Sequence, residues 1–304
     1  MRLGVLDVGS NTVHLQIMDA HHGAAPIAYQ SFKEEIRLAE YLTDSGDLSE
    51  EGIYTLHRTL NKLKNQAKSI KLDDMLAFAT SAIREANNSE SVLQSVMDET
   101  GIELQVLSGV DEARFTFLAV RRWVGWSAGD VVLLDIGGGS LEIATGEQEN
   151  PAYSNSVMLG ANRMTRQFLS GDPFTEKSLN RLREHISETL TPLKDELGGN
   201  ENRTAIGTSK TFRTLRRIQQ NYLPELGNAL TQDGLKTIVP RLAKMTQAQR
   251  AELPGVSSSR SIQIVAGALV AESAMNIFGI KKITQCPWAL REGIVLQRLD
   301  WLQS

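Results

Sequence analysis

Cysteine is almost missing from this chain: one residue, Cys286, in 304. A single thiol closes no intrachain disulfide and builds no cysteine-rich zinc site, and it fits a reducing compartment. A dominant charge is missing too. The 32 Lys and Arg against 36 Asp and Glu leave a formal net charge of −4, which gives no global attraction to nucleic acid or acidic membranes. An anionic substrate therefore needs a local positive site. No apolar run reaches membrane-spanning length. Met1-Arg2 leads straight into a strand and meets Asp7 before any long apolar region forms, so no secretory signal is visible. These absences predict a cytoplasmic protein with neither nucleic acid nor membrane as partner. The remaining composition, 41% apolar and 22% charged, is that of a globular chain long enough for two domains.

What is present is organised around residues 131–144. Val131-Val132-Leu133-Leu134-Asp135-Ile136 reads as an apolar strand, Gly137-Gly138-Gly139-Ser140 as a turn, and Leu141-Glu142-Ile143-Ala144 as a second strand. Consecutive glycines let a backbone approach a bulky group and turn N–H groups toward it. Asp135 and Glu142 put two carboxylates beside the turn. A phosphate cradled by N–H groups, with a hard cation held by carboxylates, fits this chemistry; a plain hairpin with a glycine-rich turn fits the pattern as well.

The same phrase opens the chain: Val5-Leu6-Asp7-Val8-Gly9-Ser10-Asn11-Thr12 is again strand, acid, glycine and hydroxyl. Asp7 lies 128 residues before Asp135 (135 − 7). Ala77-Phe78-Ala79-Thr80-Ser81 and Ala205-Ile206-Gly207-Thr208-Ser209 repeat at that same offset, each running toward a cation, Arg84 or Lys210. Two motif pairs at one offset argue for a duplicated unit. Gly125 to Asp130 reads as a flexible linker, dividing the chain into domains at 1–124 and 125–304.

Apolar spacing predicts a helix over Asp47 to Ile70, with Ile53, Leu56, Leu60, Leu63 and Ala67 on its buried face. Asp47 or Ser49 is placed to cap it. A helix from Ser89 is stopped by Gly101. Ser108-Gly109-Val110-Asp111-Glu112 opens another, and Glu112 there reads either as a capping acid or as a general base. Arg163 and Arg166 sit in the first turns of a helix after Leu159-Gly160, where cations oppose the dipole, so they read as anion ligands. A long polar helix from Thr175 is predicted to stop at Gly198-Gly199. Thr208-Ser209-Lys210-Thr211 starts a helix rich in hydroxyls and cations, a natural anion site, without the spacing of a Walker A loop. Pro240 is predicted to bend or break a helix over Thr231 to Met245. Ile262 to Phe278 reads as a deeply packed apolar helix, and Pro287 as the first turn of a closing helix.

With these residues in view, the chain resembles the exopolyphosphatase/guanosine pentaphosphate phosphohydrolase family. Asp7-Val8-Gly9-Ser10-Asn11-Thr12, Ala79-Thr80-Ser81-Ala82-Ile83-Arg84, Ser108 to Arg114, Asp135 to Glu142, Leu159 to Arg163, Gly207-Thr208-Ser209 and Ala289-Leu290-Arg291-Glu292-Gly293 all look like its motifs. The resemblance implies an α/β fold: two duplicated ribonuclease-H-like domains of the actin-like ATPase superfamily, with a cleft between them. It implies Glu112 as the base that activates water, and Asp135 and Glu142, helped by Asp7, as holders of Mg²⁺ or Mn²⁺. Ser10, Asn11, Thr12, Arg84, Gly137, Gly138, Gly139, Ser140, Thr208 and Ser209 would hold phosphates, with Arg163 as a further ligand. Lys210 stands where a glycine is common and adds a cation. The implied substrate is inorganic polyphosphate, with guanosine pentaphosphate as the alternative and a non-catalytic polyphosphate or nucleotide sensor as a third reading. A homodimer follows from the resemblance alone. Against an ATPase stands Ala266-Gly267-Ala268, which has one glycine where that group places two.

Overall fold

The computed structural model describes residues 1–197 and 203–302. Gly198 and Gly199, expected to stop the long polar helix, lie outside the described residues. The chain divides into two compact units, Met1–Thr116 with Leu290–Ser304, and Phe117–Ala289.

In the first unit, β1 (Arg2–Val8) pairs antiparallel with β2 (Thr12–Asp19), and β2 with β3 (Ile27–Glu35). Helix α1 (Glu50–Ala67) follows, then β4 (Asp74–Ala79), the single turn α2 (Ser81–Arg84), α3 (Ser89–Thr100), the short β5 (Gln105–Val106) and α4 (Gly109–Val124). Strands β4 and β5 run parallel to β1, giving the order β3-β2-β1-β4-β5. The predicted face of α1 is the buried one, and Ser49 is its cap, accepting from Gly52 N at 3.3 Å. Asp47, the other candidate cap, closes the turn before it by accepting from Ser45 Oγ. Strand alternation sorts β1 into two layers. Leu6 and Val8 join the core under α1 and α3, whereas Leu3 and Val5 join a second cluster. Asp7 shares the face of Leu3 and Val5.

The second unit repeats the plan. Strand β6 (Val131–Ile136) pairs antiparallel with β7 (Leu141–Gly146), and β7 with β8 (Tyr153–Val157). Helices α5 (Ala161–Phe168), α6 (Glu176–Leu190) and α7 (Lys194–Leu197) lead to β9 (Thr204–Gly207), parallel to β6. Then come α8 (Ser209–Tyr222), β10 (Leu230–Thr231), α9 (Gln232–Lys244), α10 (Gln247–Ala251), α11 (Ser258–Ile277) and β11 (Lys282–Gln285), which is parallel to β9. The order β8-β7-β6-β9-β11 matches that of the first sheet, with β10 added at the edge. The 128-residue repeat is therefore a repeat of topology. It is not a perfect one. Ala79 pairs with Val8, but Gly207 pairs with Leu134 and not with Ile136, so β9 is set two residues back. A two-residue shift keeps every side chain on its face, and it brings Thr208 level with Asp135.

Several expectations are corrected. The last helix among the described residues, α12 (Leu290–Trp301), starts three residues after Pro287 and belongs to the first unit, not to 125–304. Its Ile294, Val295 and Leu299 complete the cluster of Leu3, Val5, Met18 and Phe78. The boundary between units falls inside α4, ahead of Gly125. Residues 125–130 are a pinned turn and not a loose linker. Gly125 and Gly129 take φ of 73° and 63°, and the buried Arg121 guanidinium donates to the carbonyls of Gly125, Gly129 and Glu147. Pro240 sits inside a continuous α9: the tertiary packing of Leu235, Ile238, Val239 and Leu242 overrides the helix-breaking tendency. Among the described residues, no helix is long and apolar enough to cross a membrane.

Candidate active site

In each unit the expected residues gather at the carboxyl ends of the parallel strands, where open α/β sheets place their ligands. In the first unit, Asp7 ends β1, Thr80 follows β4 and Glu112 opens the helix after β5. In the second, Asp135 ends β6 and Thr208 follows β9.

The two hairpin turns share one device. Gly137 N donates to Ser140 O at 2.9 Å, closing the second turn, and the carbonyls inside it point to the start of α5. Gly137 O accepts from Ala161 N at 3.0 Å, Gly138 O from Asn162 N at 3.0 Å and Arg163 N at 3.1 Å, and Gly139 O from Gly160 N at 3.2 Å. The orphan amides of a helix start are thus satisfied by the glycine turn. With its carbonyls used, the turn keeps its own amides in reserve: among the described residues, the N–H groups of Gly138 and Gly139 have no protein acceptor. The first turn works likewise. Gly9 N donates to Thr12 O at 3.0 Å, while Ser10 O accepts from Ala39 N and Asn11 O from Ile36 N and Arg37 N. Arg163, read as an anion ligand, braces the turn by donating from Nε to Gly139 O at 2.9 Å. The neighbour that three glycines admit so closely is Gly160, where a Cβ would stand 2.2 Å from the Gly139 carbonyl carbon.

Asp135 and Glu142 are directly opposite in the β6–β7 register, on the face away from Leu134, Ile136, Leu141 and Ile143, which build the core. Cross-strand neighbours stand about 5 Å apart, and like charges there repel. Each carboxylate accepts a hydroxyl: Thr208 Oγ1 donates to Asp135 Oδ2 at 2.6 Å, and Ser156 Oγ to Glu142 Oε1 at 2.9 Å. In the first unit, the residue opposite Asp7 is His14. Among the described residues, no three His, Cys, Asp or Glu side chains gather closely enough to hold a metal ion by themselves.

Asp7 has a different surrounding. Arg291 Nη1 donates to its Oδ2 at 3.1 Å. Burial pushes the Asp7 carboxyl above its ordinary value, and the nearby Arg291 and Lys33 only partly offset it. A carboxyl whose folded value is raised weakens the fold as pH rises from the unfolded value of 3.8 through the folded one. Asp7→Asn is therefore expected to be at least as stable as the native chain at pH 7. That advantage vanishes at acid pH, where the native Asp7 is protonated in both states. Thermal unfolding midpoints against pH read this directly.

Glu112 is buried, and Arg84 Nη1 donates to its Oε1 and, at 2.8 Å, to Leu107 O. Capping belongs to its neighbours: Asp111 N donates to Ser108 Oγ at 3.0 Å, and Ser108 Oγ to Asp111 Oδ2 at 2.7 Å. Arg84, expected on phosphate, keeps Nε and Nη2 without a protein partner among the described residues. Ser10 Oγ lies 2.7 Å from Ser81 Oγ, tying the first turn to α2. Thr12 begins β2, and Ser140 is buried at the second turn. Lys210 is exposed in the first turn of α8. Ser209 takes a φ of 56°, a left-handed conformation costly for a residue with a Cβ, and among the described residues its buried Oγ has no partner. Sequence reasoning missed Ser156, which carries no motif. Ser81 and Arg291 lie in motifs that are plain in the sequence, but their contacts, to Ser10 and Asp7, span 71 and 284 residues.

Two units with this strand order define the class: a tandem of ribonuclease-H-like domains, each with a tight turn and a strand-to-helix hydroxyl pair at the carboxyl ends of its parallel strands. The profile of the Ppx/GppA phosphatase family matches residues 17–302, and the chain belongs to that family. It is 48% identical over 305 aligned residues to a Mycobacterium tuberculosis protein named Exopolyphosphatase 1, covering 99% of this chain and 89% of that one. The solved exopolyphosphatase of Cytophaga hutchinsonii superposes with a TM-score of 0.88 at 25% identity, covering 99% of this chain and 98% of the other. An Aquifex aeolicus member of the Ppx/GppA family gives a TM-score of 0.83 at 26% identity, covering 100% and 99%.

Proposed function

We propose that this protein is an exopolyphosphatase, releasing orthophosphate from the end of inorganic polyphosphate. The observation that carries the chemistry is the glycine turn: its carbonyls are consumed by α5, and the amides of Gly138 and Gly139 remain for an anion. Polyphosphate as the substrate is supported by the name of the 48% identical relative.

Hydrolysing a phosphoanhydride needs positioning and charge neutralisation more than covalent help. Within the second unit the turn amides, Ser140, Ser209 and Lys210 supply donors for a phosphate cradle; within the first, Ser10 and the remaining donors of Arg84 suit the same chemistry. Glu112, its carboxylate oriented by Arg84, takes a proton from the attacking water. The water oxygen bonds to the terminal phosphorus, and the bond to the bridging oxygen breaks, leaving the shortened chain. Asp135 and Glu142 fit Mg²⁺, which takes one or two protein carboxylates and completes its shell with phosphate oxygens and water. Mn²⁺ accepts the same oxygen donors. When bound, the ion would neutralise phosphate charge and relieve the repulsion between Asp135 and Glu142. In the first unit, Asp7 gives one oxygen to Arg291 and keeps the other for the same chemistry.

The test is orthophosphate release from short and long polyphosphate, guanosine pentaphosphate and ATP, each with Mg²⁺ and with EDTA. Polyphosphate is expected to turn over at least about tenfold faster than ATP, and EDTA to abolish release. Preference for guanosine pentaphosphate would move the assignment to that hydrolase. Binding of polyphosphate without release from any substrate would replace the enzyme by a sensor.

A further inference from the structure

Helix α12 has no residue in the cradle just described, yet it touches both elements that carry the first unit's acidic residues. Alternation in β1 and β2 puts Asp7 with Leu3 and Val5, and Gln16 with Met18, on the side where Ile294, Val295 and Leu299 of α12 pack. Arg291, in the first turn of α12, reaches that face. It donates from Nη1 to Asp7 Oδ2 and from Nε to Gln16 Oε1, both at 3.1 Å. Two residues on, Gly293 meets α4. A Cβ there would stand 1.9 Å from the Phe115 carbonyl oxygen and 2.5 Å from its carbon. Phe115 lies three residues beyond Glu112 on the same helix. One turn of α12 thus contacts the strand of Asp7 and the helix of Glu112.

We infer that Arg291 is a positioning residue. It holds the Asp7 carboxylate in one orientation, Gln16 holds the guanidinium, and Gly293 sets the approach of α12 to the helix that carries Glu112. The Arg291 and Asp7 side chains are only 25% and 20% exposed, and at a mostly buried pair the cost of desolvation offsets much of the attraction, so its net contribution to stability is small. Two donors of one planar guanidinium, Nη1 on Asp7 and Nε on Gln16, by contrast fix the direction of approach as well as the charge. Lysine would keep the charge but not the fork.

The inference rests on the proposed function, since Asp7 must serve a working site. It is tested by a double-mutant cycle of Asp7→Asn and Arg291→Met, with Arg291→Lys and Gln16→Leu alongside. The readouts are kcat and KM on the best substrate, together with thermal midpoints. Arg291→Met is expected to lower kcat about tenfold or more with KM within about twofold. In the Asp7→Asn background the same change is expected to cost less than about twofold, because the partner is already gone. Arg291→Lys should recover part of the loss, and Gln16→Leu should lose a few-fold in kcat, roughly half the effect on a logarithmic scale. Full additivity overturns the inference, as does a rise in KM alone, which would make Arg291 a substrate ligand. A fall in melting temperature with unchanged kcat overturns it too. If Arg291→Met does not fold, Gln16→Leu and Arg291→Lys decide the matter in the same cycle. A native chain inactive on every substrate would overturn both this inference and the proposed function; additivity in an active enzyme overturns this one alone.

Discussion

Glu112→Gln is expected to lower turnover about 10²–10⁴-fold, the usual contribution of a positioned general base, with KM near its native value. Glutamine keeps the volume and can still accept from Arg84, so the local packing survives while the proton acceptor is lost. A structural acid at a helix start would behave otherwise: it contributes about 0.3–1 kcal/mol to stability and nothing to turnover. That account is already weakened by geometry. Ser108 and Asp111 cap α4 between them, and Glu112 is turned to the Arg84 guanidinium. Single-turnover hydrolysis of short polyphosphate measures the effect. Full activity in the variant would remove Glu112 from the reaction and leave it as the anchor of Arg84.

The parts of this site that were legible in the sequence are those whose chemistry is local. A strand-end Asp, a glycine turn and a Thr-Ser strand-to-helix junction lie within a few residues of each other, and their repetition at 128 residues marked matching strands in two sheets. What could not be read depends on packing across the sheet. Whether β9 meets β6 two residues back is decided by side chains on both faces, not by either motif, and it alone brings Thr208 to Asp135. The same holds for α12. Its motif is plain in the sequence, but only the apolar fit of Ile294, Val295 and Leu299 places it on the first sheet. Arg163 shows the same limit: nothing in the sequence says that the preceding glycine turn offers its carbonyls to the helix start, so the contact from Arg163 Nε to Gly139 O is visible only in the fold.

Gly160→Ala is expected to be the most damaging single-methyl change in the second unit. The residue has φ −67° and ψ 146°, a conformation open to alanine, so backbone strain is not the issue. Space is. The added carbon would stand 2.2 Å from Gly139 C and 2.4 Å from both Gly138 C and Gly138 O, all of them main-chain atoms that cannot swing aside. Either α5 or the glycine turn must move, and the four carbonyl contacts that join them move too. Overpacking of this kind costs about 1–3 kcal/mol of stability, visible as a lower urea midpoint. The larger effect falls on catalysis: a displacement of about 1 Å at a phosphate cradle is worth about 10²-fold in rate. The first unit supplies the control. At Gly9, in the matching turn, a Cβ meets nothing nearer than Thr12 O at 3.4 Å, so Gly9→Ala is expected to lose far less. Equal losses at the two positions would mean that both turns act by chain flexibility alone, and the carbonyl-to-helix lock of the second turn would then have no special part in holding phosphate.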